Sequence, residues 1–452
     1  MKRRADFSNA ENRCARLTQV IVNTWIADRL YRAGIQCLLV IILLSAGCGG
    51  TSDGREAITF WAMGREGEIV RLLIPAFHSE HPDIHVEVQA LPWTGAHQKL
   101  LTAFVGSSTP DLCQLGNTWI SELAAVGALT PLNQIVQASH VVKPEDYFPG
   151  IWDTNLIDGI LYGVPWYIDT RLLFYRRDLL AKAGFDHPPR DWAEWARQLA
   201  AIKAMVGPQR FAVLLPLNEF EQLVSFGLQQ REPLLRDGGR YGNFESPGFK
   251  RALRFYADMF RNDWAPLVSN TAISNVWAEF ARGYYSFYVS GPWNIAEFKA
   301  RMPANLKDAW ATAPLPGPEG PGASIAGGSS LVIFKASPHK RAAWLLIEYL
   351  SRPEVQHQFY ELIGDMPPRR TAWENSSLTN DRYAPAFREQ LERARPAPKV
   401  PEWERIATEL GLIGERLAHG ELTVDQAARE LNRRTDDILE KRRWILDRKA
   451  AQ

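Results

Sequence analysis

ITFWAMGREGEIVRLLIPAFHSEHPDIHVEV, residues 58–88, holds a strand, a helix and a second strand in one short stretch. Ile58 to Ala62 is apolar and rich in β-branched and aromatic residues, as a buried strand should be. Gly64, Arg65, Glu66 and Gly67 break the run. Ile69, Leu72, Leu73, Ala76 and Phe77 then fall at i, i+3, i+4, i+7 and i+8, which predicts one amphipathic helix. His81-Pro82-Asp83 stops it, and Ile84, Val86 and Val88 alternate as the next strand. Such a unit implies parallel strands joined by a right-handed crossover. Ligands of these sheets bind at the carboxyl ends of the strands, here the loop from Ala62 to Glu68.

The same reading extends downstream. Leu100, Leu101 and Phe104 mark a helix, and Asp111 to Leu115 a short strand whose carboxyl-end loop is Gly116-Asn117-Thr118-Trp119. Residues 192–204 pattern as a helix, and residues 313–330 (APLPGPEGPGASIAGGSS) as a loop or domain crossing. From Pro401 the chain is helical, with Trp403, Ile406, Leu410, Ile413 and Leu417 on one stripe. A capping box from Thr423 to Gln426 opens the last helix. Lys441, Arg442 and Arg443 near its end read as a solvated face.

Upstream, residues 35–47 carry no charge but are too short to cross a bilayer, which takes about 20 apolar residues. They follow Arg29 and Arg32 and end in Ser45-Ala46-Gly47-Cys48, the pattern of a lipoprotein-type signal peptide over residues 1–47. Cleavage before Cys48 and lipidation of its thiol are expected, with residues 48–56 as a tether. The stretch before Leu30 is long and mixed in charge for a signal, which predicts an over-extended start. Everything beyond residue 48 is expected to work outside the cytoplasm.

Without the signal about 400 residues remain, more than one core organises, which predicts two or three domains. Lys and Arg number 52 against 51 Asp and Glu, a net charge of +1, so no basic field exists to hold nucleic acid. Of four cysteines, Cys14 and Cys37 belong to the signal and Cys48 to the lipid. Cys113 is left alone and no internal disulfide is expected. The 16 tryptophans offer flat apolar faces suited to sugar rings as well as to a core. No Gly-x-Ser-x-Gly elbow or HExxH motif occurs. A secreted glycosidase would also be rich in tryptophan and cleft carboxylates, and is the rival reading. His78, His81 and His85 lie close to Glu80 and Asp83, but Pro82 splits them. They read as a solvated helix end rather than a metal site, and no cofactor is expected.

Further segments carry a family likeness. They are 59–68 (TFWAMGREGE), 110–132 (PDLCQLGNTWISELAAVGALTPL) and 162–178 (YGVPWYIDTRLLFYRRD), the last followed by KAGFDHPPRDWAEW. After them come 283–294 (GYYSFYVSGPWN), Gly327-Gly328 before Leu331 to Lys335, AWLLIEYLSRPEVQHQFY, and Met366-Pro367-Pro368-Arg369. In order and spacing, the chain from about Ile58 onward resembles the maltose-binding-like extracellular solute-binding proteins, family 1, of ABC sugar importers. The resemblance implies an α/β, two-lobed periplasmic-binding-protein fold of type II-like topology. Hinge crossings would fall near 165–169, 324–327 and 366–372, with a ligand cleft between lobes. Lobe one would be 51–166 plus 327–368, and lobe two 167–326 plus 369–452.

The implied function is capture of a sugar or oligosaccharide by a monomeric, membrane-anchored lipoprotein, on the periplasmic side or at the cell surface. It would deliver the sugar to importer membrane subunits without catalysis. A polyol, sugar phosphate or amino sugar are the alternative ligands. A phosphate binder should gather basic groups, and only Arg65, Arg171 and Arg369 are candidates. Matched position by position, Glu68, with Glu66 as its neighbouring alternative, is a carboxylate that accepts from sugar hydroxyls. Asn117 and Trp119 are rim contacts. Tyr167 and Asp169 stand in the first crossing, and Trp293, with Asn294 beside it, matches the stacking tryptophan of lobe two. Gly328 precedes an aromatic position here taken by Ser329. Arg369 lies near the third crossing, and Trp277 is a further aromatic candidate.

Overall fold

The opening stretch forms β1 (Glu56–Met63) and β2 (Ile84–Leu91), paired in parallel from Glu56↔Ile84 to Met63↔Leu91. The computed structural model describes residues 55–374 and 376–451. From Glu56 onward these form one compact unit. The expected signal peptide, Cys48 and nearly all of the tether lie outside the described residues.

The single helix expected between the first two strands is broken. It consists of α1 (Gly64–Ile69), a 3-10 turn at Val70–Leu72, and α2 (Ile74–Glu80). Pro75, in the first turn of α2, has no N–H to donate, and its ring would clash with the carbonyl four residues back. The helix therefore restarts there. Leu72, expected on the apolar stripe, is 60% exposed, while Val70 takes a buried place. The expected loop from Ala62 to Glu68 is helical from Gly64 onward.

After α3 (Trp93–Val105), β3 (Leu112–Gly116) joins β1 in parallel. The remaining long strands are β4 (Val164–Ile168), β5 (Leu172–Arg176), β6 (Phe211–Leu214), β7 (Tyr285–Ser290), β8 (Trp310–Ala313) and β9 (Gly328–Ile333). They build a five-stranded sheet, β2-β1-β3-β9-β4, and a four-stranded sheet, β8-β5-β7-β6. In the first, β9 runs antiparallel to both β3 and β4. In the second, β7 is parallel to β6 and antiparallel to β5.

Helices cover both faces of each sheet, giving the layered α/β arrangement that buries two-sided strands. Ile58, Phe60, Phe77, Trp166 and Phe359 fill one face of the first sheet, and Leu100, Leu115, Ile120 and Val332 the other. Along β5 the side chains alternate, as strand geometry requires. Leu173 and Tyr175 join a core with Trp195, Phe226 and Ile406, while Leu172 and Phe174 join Phe298, Trp310 and Phe387. Phe148 and Ile151, from the stretch expected in lobe one, pack in this second group.

The chain passes between the sheets at segments that bond to one another. Tyr167 and Ile168 still pair with Ser329 and Gly328 in the first sheet, so the passage begins only after Ile168, past the expected boundary at 166. Ile168 N–H donates to the Met366 carbonyl at 3.0 Å, and Asp169 N–H to the Gly327 carbonyl at 3.3 Å. Residues 313–330 are not one loop. Pro316–Gly317 pairs with Gly320–Pro321, Ser324–Ile325 pairs with Ala394–Arg395, and β9 begins at Gly328.

Downstream, the helix expected from residue 192 is α4 (Trp192–Val206). In α5 (Trp403–Ala418) the stripe from Trp403 to Leu417 is buried throughout. The box from Thr423 to Gln426 caps α6 (Val424–Ile438) with both of its reciprocal hydrogen bonds. No described helix is long and apolar enough to cross a membrane.

Candidate functional site

In the first sheet, the carboxyl ends of β1 and β3, the end of β4 and the start of β9 lie on one rim. The second sheet presents the ends of β6 and β7 and the start of β5. Side chains from both meet around a cavity of about 300 Å³. Trp93, Asn117, Thr118 and Trp119 line it from the loops after β2 and β3, and Tyr167, Asp169 and Gly327 to Ser329 from the passage between sheets. Phe220 and Glu221 come from the loop after β6, and Glu404 from the first turn of α5. Larger openings exist elsewhere, including one of about 500 Å³ along the 316–322 hairpin that no aromatic side chain lines. The smaller cavity combines aromatic walls with converging polar groups, the usual make-up of a small-molecule site.

Its floor is a buried polar network centred on Gln114 in β3, which is fully buried. The Gln114 Oε1 accepts from Met63 N–H at 2.7 Å. Its Nε2 donates to the Tyr167 hydroxyl at 2.9 Å and to Ser329 Oγ at 3.3 Å. Ser329 donates in turn to Tyr167 at 3.0 Å, and Tyr167 to Glu66 Oε1 at 2.7 Å. Burial pushes the Glu66 carboxyl up, against hydrogen bonds from backbone, Tyr167 and Trp93. Behind it, Asp365 is raised well above the carboxylate range by burial, then by the charges of Glu66 and Asp169.

Asp169 stands beside Arg171. The Arg171 Nη1 donates to the Asp169 carbonyl at 3.0 Å and lies 3.4 Å from Oδ1, and Nη2 donates to Glu221 at 3.0 Å. The Asp169 carboxyl is pushed up to about 6, by burial first and then by Glu221, Glu66 and Glu219, with Arg171 opposing. A third of its side chain nevertheless opens onto the cavity. Burial alone would lower the Arg171 pKa, but Glu221 and Asp169 more than reverse this and hold it charged. Two glycines make room here. A Cβ on Gly327 would lie 1.9 Å from Asp169 Oδ1, and one on Gly328 (φ +118°) 2.3 Å from the Tyr167 carbonyl oxygen.

The sequence candidates divide clearly. Asn117, Trp119, Tyr167, Asp169 and Gly328 line the cavity, and Glu66 joins it through Tyr167. Trp293 does not line the cavity; it packs on Arg171, the partner of Asp169 and Glu221, with the guanidinium 4.7 Å from the ring centre. Glu68 is exposed on α1 and is not among the cavity's lining residues. Asn294 is engaged structurally: its Nδ2 donates to Ser290 Oγ and the Gly291 carbonyl, and its Oδ1 accepts from Trp277 Nε1 at 2.9 Å. Trp277 is thereby held away from the cavity, with Arg301 over its ring. Arg369 is buried in an ion pair with Asp146 at 2.6 Å and donates to the Ser351 carbonyl. Among the described residues no cluster of His, Cys, Asp and Glu is placed to hold a metal. His78 accepts from Val86 N–H and stacks on His85.

Sequence reasoning missed Gln114, Trp93, Phe220, Glu221 and Glu404. Trp93 follows the carboxyl end of β2, and the rim rule that picked out Asn117 would have found it. Glu221 and Glu404 carry no local signal.

Residues 63–357 match the bacterial extracellular solute-binding protein family. The chain belongs to that family. The sugar-binding protein MalE of Xanthomonas citri is 57% identical, covers 86% of this chain and 99% of its own, and superposes with a TM-score of 0.84. A solute-binding protein of Thermotoga lettingae, solved with α-D-tagatose, is 27% identical over 85% of this chain and all of its own, with a TM-score of 0.73. An uncharacterised lipoprotein of Streptomyces antibioticus is 27% identical over 82% of this chain and 85% of its own length. The expected α/β binding-protein fold is the one found.

The network around Gln114 yields a direct expectation. Gln114→Leu keeps the side-chain bulk but strands the buried Met63 N–H and removes one of the two donors to the Tyr167 hydroxyl. The loss should be about 1–3 kcal/mol per buried group left unpaired, read by urea denaturation. Unchanged stability would mean the network is idle.

Proposed function

We propose that this protein captures a sugar in the cavity between its two sheets and passes it unaltered to the membrane subunits of an ABC importer. The observation that carries this reading is the cavity itself, where indole faces, a carboxylate at the passage between sheets and buried donors converge from both sides. Sugar rings pack on indole, and their hydroxyls donate to carboxylates and accept from amides. Charge-assisted hydrogen bonds of about 1.5–3 kcal/mol each, a few of them with stacking, reach the roughly −8 kcal/mol of micromolar binding. The 57% identical relative is named a sugar-binding protein, which supports the same class of ligand.

The carboxylate excess disfavours a sugar phosphate. Arg171 is already paired with Asp169 and Glu221, and Arg369 with Asp146. We assign Tyr167 and Asp169 to contacts at the passage, Asn117 and Trp119 to the first sheet, and Trp293 to the second. Segments 56–168 with 327–368, and 169–326 with 369–451, would act as two lobes closing on a ligand that favours the closed state. The working form is a monomer without catalytic activity.

A thermal-shift panel of mono-, di- and trisaccharides identifies the sugar, since a ligand at 100 times its Kd stabilises by about 2.7 kcal/mol. With that sugar, Asp169→Ala and Trp293→Ala should each weaken binding at least tenfold in calorimetry, about 1.4 kcal/mol, while remaining folded. Unchanged affinity in both rejects the assignment. The hydroxyl-accepting form of Asp169 is the ionised one, and its carboxyl titrates at about 6. Affinity should therefore be full above pH 7 and fall as pH drops through 6 to 5. In Asp169→Asn that slope should flatten, and an equal slope in both would exclude Asp169 as its source.

We also propose a lipid anchor at Cys48, supported by the Ser45-Ala46-Gly47-Cys48 pattern and by a relative named a lipoprotein. Each buried CH₂ of the acyl chains adds about 0.8 kcal/mol of membrane affinity. Cys48→Ser should move the protein out of the membrane fraction, with mass spectrometry showing an unmodified N-terminus. An unacylated wild-type protein would end this reading.

A further inference from the structure

Among the described residues lining the cavity, two buried polar atoms have no hydrogen-bond partner: Asn117 Nδ2, a donor, and Glu404 Oε1, an acceptor. The rest of the Asn117 amide is fixed, since its Oδ1 accepts from Ser330 Oγ at 2.9 Å, and the residue is 7% exposed. Glu404 projects from the first turn of α5 and reaches the same wall beside Thr118, the residue after Asn117. The two elements are tied together here by Ser121 Oγ, which donates to the Val400 carbonyl at 3.1 Å. Unpaired polar atoms are rare in protein interiors and mark positions completed by something else. A hydroxyl is both a donor and an acceptor. A sugar hydroxyl can therefore both accept from Asn117 and donate to Glu404, which an unprotonated phosphate oxygen or a methylene cannot.

Resting on the sugar reading above, we propose that Glu404, together with Asn117, reads a single hydroxyl of the bound sugar and is a specificity-determining residue of the site. Burial raises the Glu404 carboxyl, with Thr118 and His97 opposing this and Glu122 and Glu221 adding to it. Thr118 hydrogen-bonds this carboxyl, and Oε1 is left for a further donor. α5 would in this way carry a ligand contact from a part of the chain far from the sheet rims.

The test uses the tightest binder from the saccharide panel, its monodeoxy analogues, and the variants Glu404→Gln and Glu404→Met. Both variants should raise Kd at least tenfold, and Glu404→Gln, which keeps the shape and an oxygen for the Thr118 hydroxyl, should not lower the melting temperature without sugar. One monodeoxy analogue should lose tenfold or more in the wild type and little further in Glu404→Met. Wild-type affinity in both variants would overturn the assignment. So would an affinity loss accompanied in both by a lower melting temperature, which would make Glu404 a structural contact to Thr118. If no saccharide shifts the wild type, the sugar reading itself fails and takes this one with it.

Discussion

A single buried amide holds the working rim together. Gln114 sits in the centre of the first sheet with no access to water, so its amide must be satisfied internally or cost the fold a full desolvation penalty. Its partners are the end of β1 at Met63, the end of β4 at Tyr167 and the start of β9 at Ser329. Three strands are thereby locked in register where the ligand-facing loops begin. Tyr167 then hands the network on to Glu66, whose position on α1 depends on the turn at Gly64. The rim is pre-organised by hydrogen bonds made before any sugar arrives, which lowers the ordering cost of binding.

Charge sets the second constraint. Glu66, Asp365, Asp169, Glu219 and Glu221 act on one another through the site, and Arg171 is the cation placed among them. The carboxyls of Glu66, Asp365, Asp169 and Glu219 are raised, with burial the first cause in each case. Such a field repels anions, and the Asp169 carboxyl, a third of it open to the cavity, can still take a donor. A polyhydroxylated neutral molecule meets both conditions, because hydroxyl protons satisfy carboxylates without adding charge.

Much of this was legible in the sequence where the signal is local. The alternation and i, i+3, i+4 spacing in residues 58–88 predict both strands and their parallel pairing, and the stripe on α5 and the Thr423 box hold in the structure. The break at Pro75 was equally visible as a residue, but the apolar spacing ran through it and hid the 3-10 turn. The candidates divide along the same line. Asn117, Trp119, Tyr167 and Asp169 sit at strand ends, where chain position dictates placement. Asn294 and Arg369 have polar groups that fit a sugar equally well, and only tertiary packing reveals that Ser290, Trp277, Asp146 and Ser351 already use them. Gln114 reads as one more strand residue until its partners, 51 and 215 positions away in the chain, are known. Glu404 becomes relevant only because α5 folds back onto the loop after β3.

The central claim is that a sugar is held between the two sheets and draws them together without being altered. Equal affinity for open and closed forms would shift nothing, so contacts from both sides must act together. Small-angle X-ray scattering of the protein from residue 51 onward, with and without saturating sugar, measures this directly when the recovered sugar is also analysed. The account predicts a smaller radius of gyration with sugar present and an intact sugar afterwards. An unchanged radius at saturation, or a cleaved product, would contradict it.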